Sequence, residues 1–257
     1  MSLTNDSIKS FLEEKTARYN NAAFIDEDPV SIPHAFSIKE DIEIAAFLTA
    51  TISWGQRKTI LKNAGALMVR MDSAPYQFIQ AFQAKDLTPF RTFKHRTFNG
   101  DDCIFFLRAL KHIYSKKGGL ESIFISPKIS DTQVKAGIIN ARAMFFLKAH
   151  EKRQEKHFSD PARGSAAKRL NMFLRWMVRK DRSGVDFGIW KNISPSSLLC
   201  PLDVHSGRVA RKLGLLSRKQ DDWQAVDELT ANLRHFDPKD PVKFDFALFG
   251  LGVFEKF

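Results

Sequence analysis

Apolar residues recur along most of the chain at three- and four-residue spacing, the period of a helix with one buried face. This spacing predicts a short amphipathic helix from Ser7 to Tyr19, then a Pro-containing loop over 20–36 that includes "DEDPVSIPHAF". Ser37 and Glu40 stand at S-x-x-E spacing, the capping box in which two side chains satisfy exposed amides at a helix start. The following run, "DIEIAAFLTATISW", is apolar on most sides and predicts a helix buried all round, ended or kinked by Gly55. "QRKTILKNAGALMVRM" is amphipathic, with Ile60, Leu61, Ala64, Leu67 and Met68 inward. A short helix is expected over 74–84 and a loop over 86–100. Asp101 or Asp102 is expected to cap the helix "CIFFLRALKHIYSKK", which Gly118 and Gly119 stop.

Residues 131–157 read as one long helix that turns basic toward its end, and "SDPARGS" at 159–165 as a turn. "AAKRLNMFLRWMVRK" is a helix with Leu170, Phe173, Leu174 and Met177 on one face. A connection over 181–200 carries a Ser194 cap ahead of Pro195. In "PLDVHSGRVARKLGLL", residues 201–216, an extended Pro-Leu approach delivers Asp203 to a cap position, where it accepts from the amides of His205 or Ser206. Helices over 222–236 and 240–252, parted by Asp237-Pro238, complete the chain. No stretch alternates with period two and no segment repeats, so the fold class is all-α, an array of about ten helices.

Composition narrows the class. The chain has 257 residues, 44% of them hydrophobic, enough to bury a substantial core. No apolar run reaches the ~18 residues of a membrane span, and the N-terminus lacks the basic-then-apolar pattern of a secretory signal. Cys103 and Cys200 are far apart in apolar surroundings, which argues against a disulfide framework or a cysteine metal site. The expectation is a soluble protein of a reducing, cytoplasmic compartment. The histidines His34, His95, His112, His205 and His235 show no metal-ligand spacing, and there is no Walker-type or G-x-S-x-G motif. Neither a metal nor a cofactor is expected.

The net charge is +11, and residues 148–182 alone carry +7. Concentrated cationic charge is the footprint of a polyanion binder, although a solvated basic helix face explains it as well. Within "GSAAKRLNMFL", residues 164–174, a turn opens a helix whose first amides are free to hold a phosphate. Ser165 can cap that helix or touch the same phosphate, and Lys168 lies in its first turn. An ordinary capped helix with a surface lysine accounts for the same residues. At Asp203 a plain helix cap suffices for the Asp, but Arg208, Arg211 and Lys212 add a basic surface to the same helix.

These two stretches together resemble the helix-hairpin-helix DNA glycosylase superfamily, which includes endonuclease III and the 8-oxoguanine glycosylases. The family hairpin reads G-x-G-x-K-x-x-N-x-x-L, and Gly164, Lys168, Asn171 and Leu174 stand at matching offsets. The family's D-x-H-x-x-R-V helix start is matched by Asp203, His205, Arg208 and Val209, with Lys212 and Leu213-Gly214-Leu215 behind. The resemblance is clearest over 39–70 and 160–257. A closer similarity over most of the chain is to a bacterial family of conserved hypothetical proteins, carried by "KRLNMFLRWMVRKD", "PLDVHSGRVARKLGLL" and "FDFALFGLGV".

The superfamily resemblance implies two packed helical subdomains with a cleft between them, 37–158 in one and 1–36 plus 159–257 in the other. It implies double-stranded DNA with a damaged or modified base as partner, and base excision with AP-lyase action as activity. Lys168 matches the amine that forms a Schiff base, and Asp203 the carboxylate that faces the cationic sugar. Gly164, Ser165, Arg169, Arg208, Arg211 and Lys212 would meet phosphates. Trp54, Trp176 and Trp190 are candidate walls for an extruded base. The chain departs from the pattern at Ala166, where the hairpin has its second glycine. It also lacks the cysteine cluster of an iron–sulfur centre. A non-catalytic nucleic-acid-binding module of this fold, or a helical protein with an acidic partner, is the alternative, and the oligomeric state is left open.

Overall fold

A computed structural model describes residues 4–125 and 133–257. Among them the chain forms thirteen α-helices joined by short 3-10 turns: α1 (Asn5–Tyr19), α2 (Ala23–Glu27), α3 (Ser31–His34), α4 (Lys39–Thr51), α5 (Arg57–Arg70), α6 (Pro75–Ala81), α7 (Gly100–Lys116), α8 (Leu120–Phe124), α9 (Gln133–Phe145), α10 (Lys168–Val178), α11 (Val204–Lys212), α12 (Trp223–Phe236) and α13 (Asp245–Val253). No strand occurs among the described residues, only isolated bridges, and none of their helices is long and apolar enough to cross a membrane. The chain divides into two compact units, one of residues 25–159 and the other of 1–24 with 160–257. The first boundary falls at 24/25 rather than 36/37.

The 25–159 unit is held by stacked phenylalanines. Phe47 of α4 meets Phe106 of α7, Phe145 of α9 and Phe158, with ring centroids 5.5–6.2 Å apart. Every residue of α4 from Asp41 to Thr51 is buried, as its continuous apolar run demands. On α5, Ile60, Ala64, Leu67 and Met68 are buried, while Leu61 is half-buried at the edge of that face.

Four local expectations are corrected by the structure. The loop over 20–36 contains α2 and α3. Helix α4 is capped by Ile38 with no side-chain bond, because the helix starts one position later than the Ser37–Glu40 spacing needs. Its first turn is fixed instead by Lys39, whose Nζ lies 2.7 Å from Glu121 and 3.6 Å from Glu43. Helix α7 is capped by Asn99 rather than Asp101 or Asp102, and Asp102 closes the capping box as its third residue. The long helix over 131–157, whose first two positions lie outside the described residues, stops at Phe145. Arg142 donates to the carbonyls of Glu155 and Phe158 and pairs with the Glu155 carboxylate at 2.7 Å, which requires the chain to double back.

In the other unit, α13 packs along both α1 and α11. Gly250 lets the ring of Tyr19 lie against α13, where any Cβ would overlap it. The 240–252 stretch resolves into a 3-10 turn, Pro241–Phe244, and then α13. Trp176 and Trp190 are fully buried, Trp190 edge-on to Phe173 at 5.2 Å. They are core residues rather than walls of a base pocket. Trp54 belongs to the 25–159 unit, half-buried against His95 and His157.

Candidate functional site

Helix α11 begins where Asp203 caps it. The Asp203 backbone is extended, and its Oδ1 accepts from the amides of His205 at 2.9 Å and Ser206 at 3.1 Å, while the Ser206 hydroxyl accepts in return from the Asp203 amide at 2.9 Å. This leaves Oδ2 facing Lys168, whose Nζ lies 3.7 Å away. The two side chains, from the starts of α10 and α11, are each a little over one quarter exposed, at 28% and 29%. Burial pushes the Asp203 carboxyl up, but the Lys168 ammonium and the Ser206 and His205 amides outweigh it and hold the carboxyl below its ordinary range. At neutral pH Asp203 is therefore a carboxylate, suited to facing positive charge rather than to taking up a proton.

The turn ahead of Lys168 is unusual. Gly164 is left-handed, with φ 86°, and so is Ala167, with φ 47° and ψ 37°. Ala166, at the position of the hairpin's second glycine, has no positive φ, so its Cβ is tolerated. The strain falls on Ala167 instead, where an L side chain costs about 1–2 kcal/mol. The turn is clamped from outside: Trp223 N donates to Gly164 O at 3.0 Å, and Ser165 bridges to Asp222, which Arg218 holds. The Ser165 hydroxyl accepts from Ala167 N at 3.2 Å. A helix N-terminus with a lysine in its first turn suits an anion. A Cβ at Gly164 would touch nothing within 4 Å, so Gly164→Ala tests backbone strain alone. It is expected to lower stability by about 1–2 kcal/mol in urea unfolding.

Two of the other cations expected to meet phosphates, Arg208 and Arg211, are committed within the protein. Arg208 donates to the carbonyls of Gly252 at 3.0 Å and Phe257 at 3.1 Å, closing the end of α13. Arg211 donates to Arg218 O at 2.8 Å and pairs with Asp221 at 2.6 Å. Lys212 is exposed, its Nζ 5.3 Å from the Phe257 ring centroid. Arg169 is half-buried, and burial pushes its guanidinium down to about 10, still charged at neutral pH. The +7 segment is divided between the two units, and its Arg175 and Arg179 are buried among carboxylates.

That buried cluster underlies the site and was not foreseen from the sequence. Arg175 bonds Asp186 at 3.2 Å and also Asp245. Arg179 bonds Asp186 at 3.0 Å, Asp240 at 2.9 Å and Asp181 at 2.7 Å. Four carboxylates thus face two guanidinium groups. Asp245 is pushed up to about 6 by burial, against the pull of Arg175 and Lys168 and with a further push from Asp203. The partners of each arginine are as many as 61 and 70 positions away, so only the excess of Asp in the C-terminal third could have hinted at them.

Asp245 makes stability depend on pH in a definite direction. An unfolded Asp titrates near ~3.9, whereas Asp245 in the fold titrates at about 6. Between these values the folded state binds more protons, so this term weakens folding as pH rises. Compared with Asp245→Asn, the wild type is expected to lose about 3 kcal/mol of relative stability between about pH 4 and pH 7. Parallel stability–pH curves for the two proteins would refute this.

Among the described residues, no group of three or more His, Cys, Asp or Glu is arranged to hold a metal ion. Cys103 and Cys200 are buried and unbridged, each thiol pushed up by burial. No curated protein and no solved structure gives a significant match to this sequence. A family model described as "Protein of unknown function (DUF2400)" matches residues 28–254, so the chain belongs to that family.

Proposed function

We propose that the protein binds DNA and excises a damaged or modified base, with AP-lyase action through Lys168, on a helix-hairpin-helix glycosylase-like fold. The observation that carries this reading is the pairing of Lys168 Nζ with Asp203 Oδ2 at 3.7 Å, at the start of α10, where the first-turn amides adjoin. An amine, an ionised carboxylate and an anion-binding turn are the three groups that the chemistry requires at a nucleotide. The amides take a phosphate of the strand. The Lys168 ammonium first gives a proton to solvent; the free amine then adds to C1′ as the bond from C1′ to the base nitrogen breaks, and the proton released by the amine nitrogen leaves with the base. Cleavage of the C1′–O4′ bond, with O4′ taking a proton from solvent, yields an iminium at C1′. Loss of a C2′ proton then expels the 3′-phosphate and cuts the strand. Asp203 faces the positive charge that develops on the sugar as the base departs.

The test is incubation of the full chain with a duplex carrying an abasic site, followed by borohydride reduction. A covalent protein–DNA adduct is expected, together with duplex affinity that falls steeply with salt. Absence of an adduct, with no base released from a panel of damaged duplexes, overturns the reading.

A further inference from the structure

Two stretches of the 25–159 unit contain no acidic residue: "SWGQRKTILKN", 53–63, and "RTFKHRTFNG", 91–100. Between them they carry Arg57, Lys58, Lys62, Arg91, Lys94 and Arg96, all exposed but for the half-buried Arg57. The fold pins the two stretches together through His95, which is 1% exposed. Its Nε2 meets the Trp54 carbonyl at 3.0 Å and its Nδ1 the Asn63 side-chain amide at 2.9 Å, and the same amide donates to Lys94 O at 3.4 Å. His95 and Phe98 exchange backbone hydrogen bonds at 2.8 and 2.9 Å, so Arg96 and Thr97 form the tip of a two-residue turn. Arg96 is left-handed there, with φ 54°, and its guanidinium lies against Gly55, where a Cβ would come within 2.9 Å of Arg96 Nη1. Arg153 donates to the Thr97 carbonyl at 3.3 Å and pairs with Asp102 at 2.6 Å, which ties the tip to α7.

A left-handed backbone disfavours an arginine, where glycine or asparagine sits with less strain. Arg57 and Lys58 open α5, whose first turn holds no acid, although cations at a helix start oppose its dipole. Among the described residues no carboxylate pairs with Lys58, Lys62, Arg91, Lys94 or Arg96. Charge gathered against repulsion, on a strained turn fixed by buried groups, is organised for an anion outside the chain. We propose that this face of the 25–159 unit is a further nucleic-acid contact, in which Arg96, with Lys58 and Lys94, holds phosphates along a strand of duplex DNA. A row of exposed cations matches the repeating charge of a phosphate backbone, about one per 1.7 Å of duplex. The choice of duplex DNA rests on the function proposed above, but not on its excision chemistry.

The test is titration of a fluorescent, undamaged duplex with the full chain, read by anisotropy over a series of salt concentrations, with folding checked by thermal melting. Wild type is expected to bind with an affinity that falls steeply as salt rises. Arg96→Gly removes the charge and relieves the left-handed strain. It should melt at or above the wild-type temperature, yet bind about 3–10-fold more weakly, with a log–log salt slope smaller by about 1. Arg96→Lys keeps the charge and should stay within about threefold. Combining Arg96→Gly with Lys58→Gln and Lys94→Gln should lower the slope by about 2–3. Lys116→Gln with Lys117→Gln removes two exposed cations at the far end of α7, about 25 Å along that helix, and should stay within about twofold. Wild-type affinity and slope in the triple variant overturn the proposal and leave the Lys168 reading standing. An equal loss in the Lys116 and Lys117 variant overturns it too, as does a wild type that binds no duplex or that takes polyglutamate as tightly. Should the triple variant not fold, Arg96→Gly decides alone. Weakened duplex binding in these variants, with no adduct from wild type on abasic DNA, sustains the surface and sinks the excision reading, so the two fail separately.

Discussion

Lys168→Ala is expected to abolish the borohydride-trapped adduct on abasic duplex, a loss of at least about 10³-fold, because the amine proposed to bond to C1′ is gone. Lys168→Arg keeps the charge beside Asp203 but removes the nucleophile, so it should bind duplex like wild type and trap nothing. Asp203 requires a different substitution, since it also caps α11. Asp203→Ala removes the cap and should cost about 1 kcal/mol of stability, which confounds any loss of activity. Asp203→Asn retains an acceptor for the amides of His205 and Ser206 and removes the charge. It should leave the melting temperature nearly unchanged and slow base release about 10²–10³-fold. Trapping by Lys168→Ala at the wild-type level would assign the adduct to another amine. Unchanged base release in Asp203→Asn would leave Asp203 as a cap alone.

The largest effect on stability is expected at Arg179. Its guanidinium, 2% exposed, serves Asp181, Asp186 and Asp240 together and lies 5.5 Å from the Phe246 ring. Asp186 is 3% exposed, so Arg179→Ala strands buried negative charge with Arg175 as its remaining guanidinium partner. Removing one side of a buried ion pair costs about 3–5 kcal/mol. Against a total stability of about 5–15 kcal/mol, that is enough to leave a measurable unfolded fraction at 37 °C. Arg179→Lys should recover only part, because an ammonium cannot bridge carboxylates on three sides. Urea unfolding at neutral pH measures both variants, and a loss under about 1 kcal/mol for Arg179→Ala would mean that water reaches the cluster.

Gly207 illustrates how the same helix serves two ends. A Cβ there would press on Arg211 and Asp221, so α11 carries a small residue where its own basic side chain folds back to an acid. The arginines that give α11 a cationic sequence are turned to the C-terminal carbonyls and to the loop after α11.

What the sequence by itself determined lies within a few residues of chain. The helical class, the buried run of α4, the Ser194 cap, the Asp203 cap and the turn before α10 all follow from contacts at spacings of about two to four positions, which periodicity and capping chemistry encode directly. The tertiary structure decided the rest. It ended α9 at Phe145, because Arg142 seeks carbonyls beyond the chain reversal. It set Lys168 against Asp203, put a left-handed backbone at Ala167, and drew Asp240 and Asp245 under α10. It also withdrew Arg175, Arg179, Arg208 and Arg211 from the basic surface that their sequence positions suggest. A charge at a given position has no local signature of its partner. Whether it faces solvent, a phosphate or a buried carboxylate depends on which distant helix packs over it, and only the assembled core fixes that.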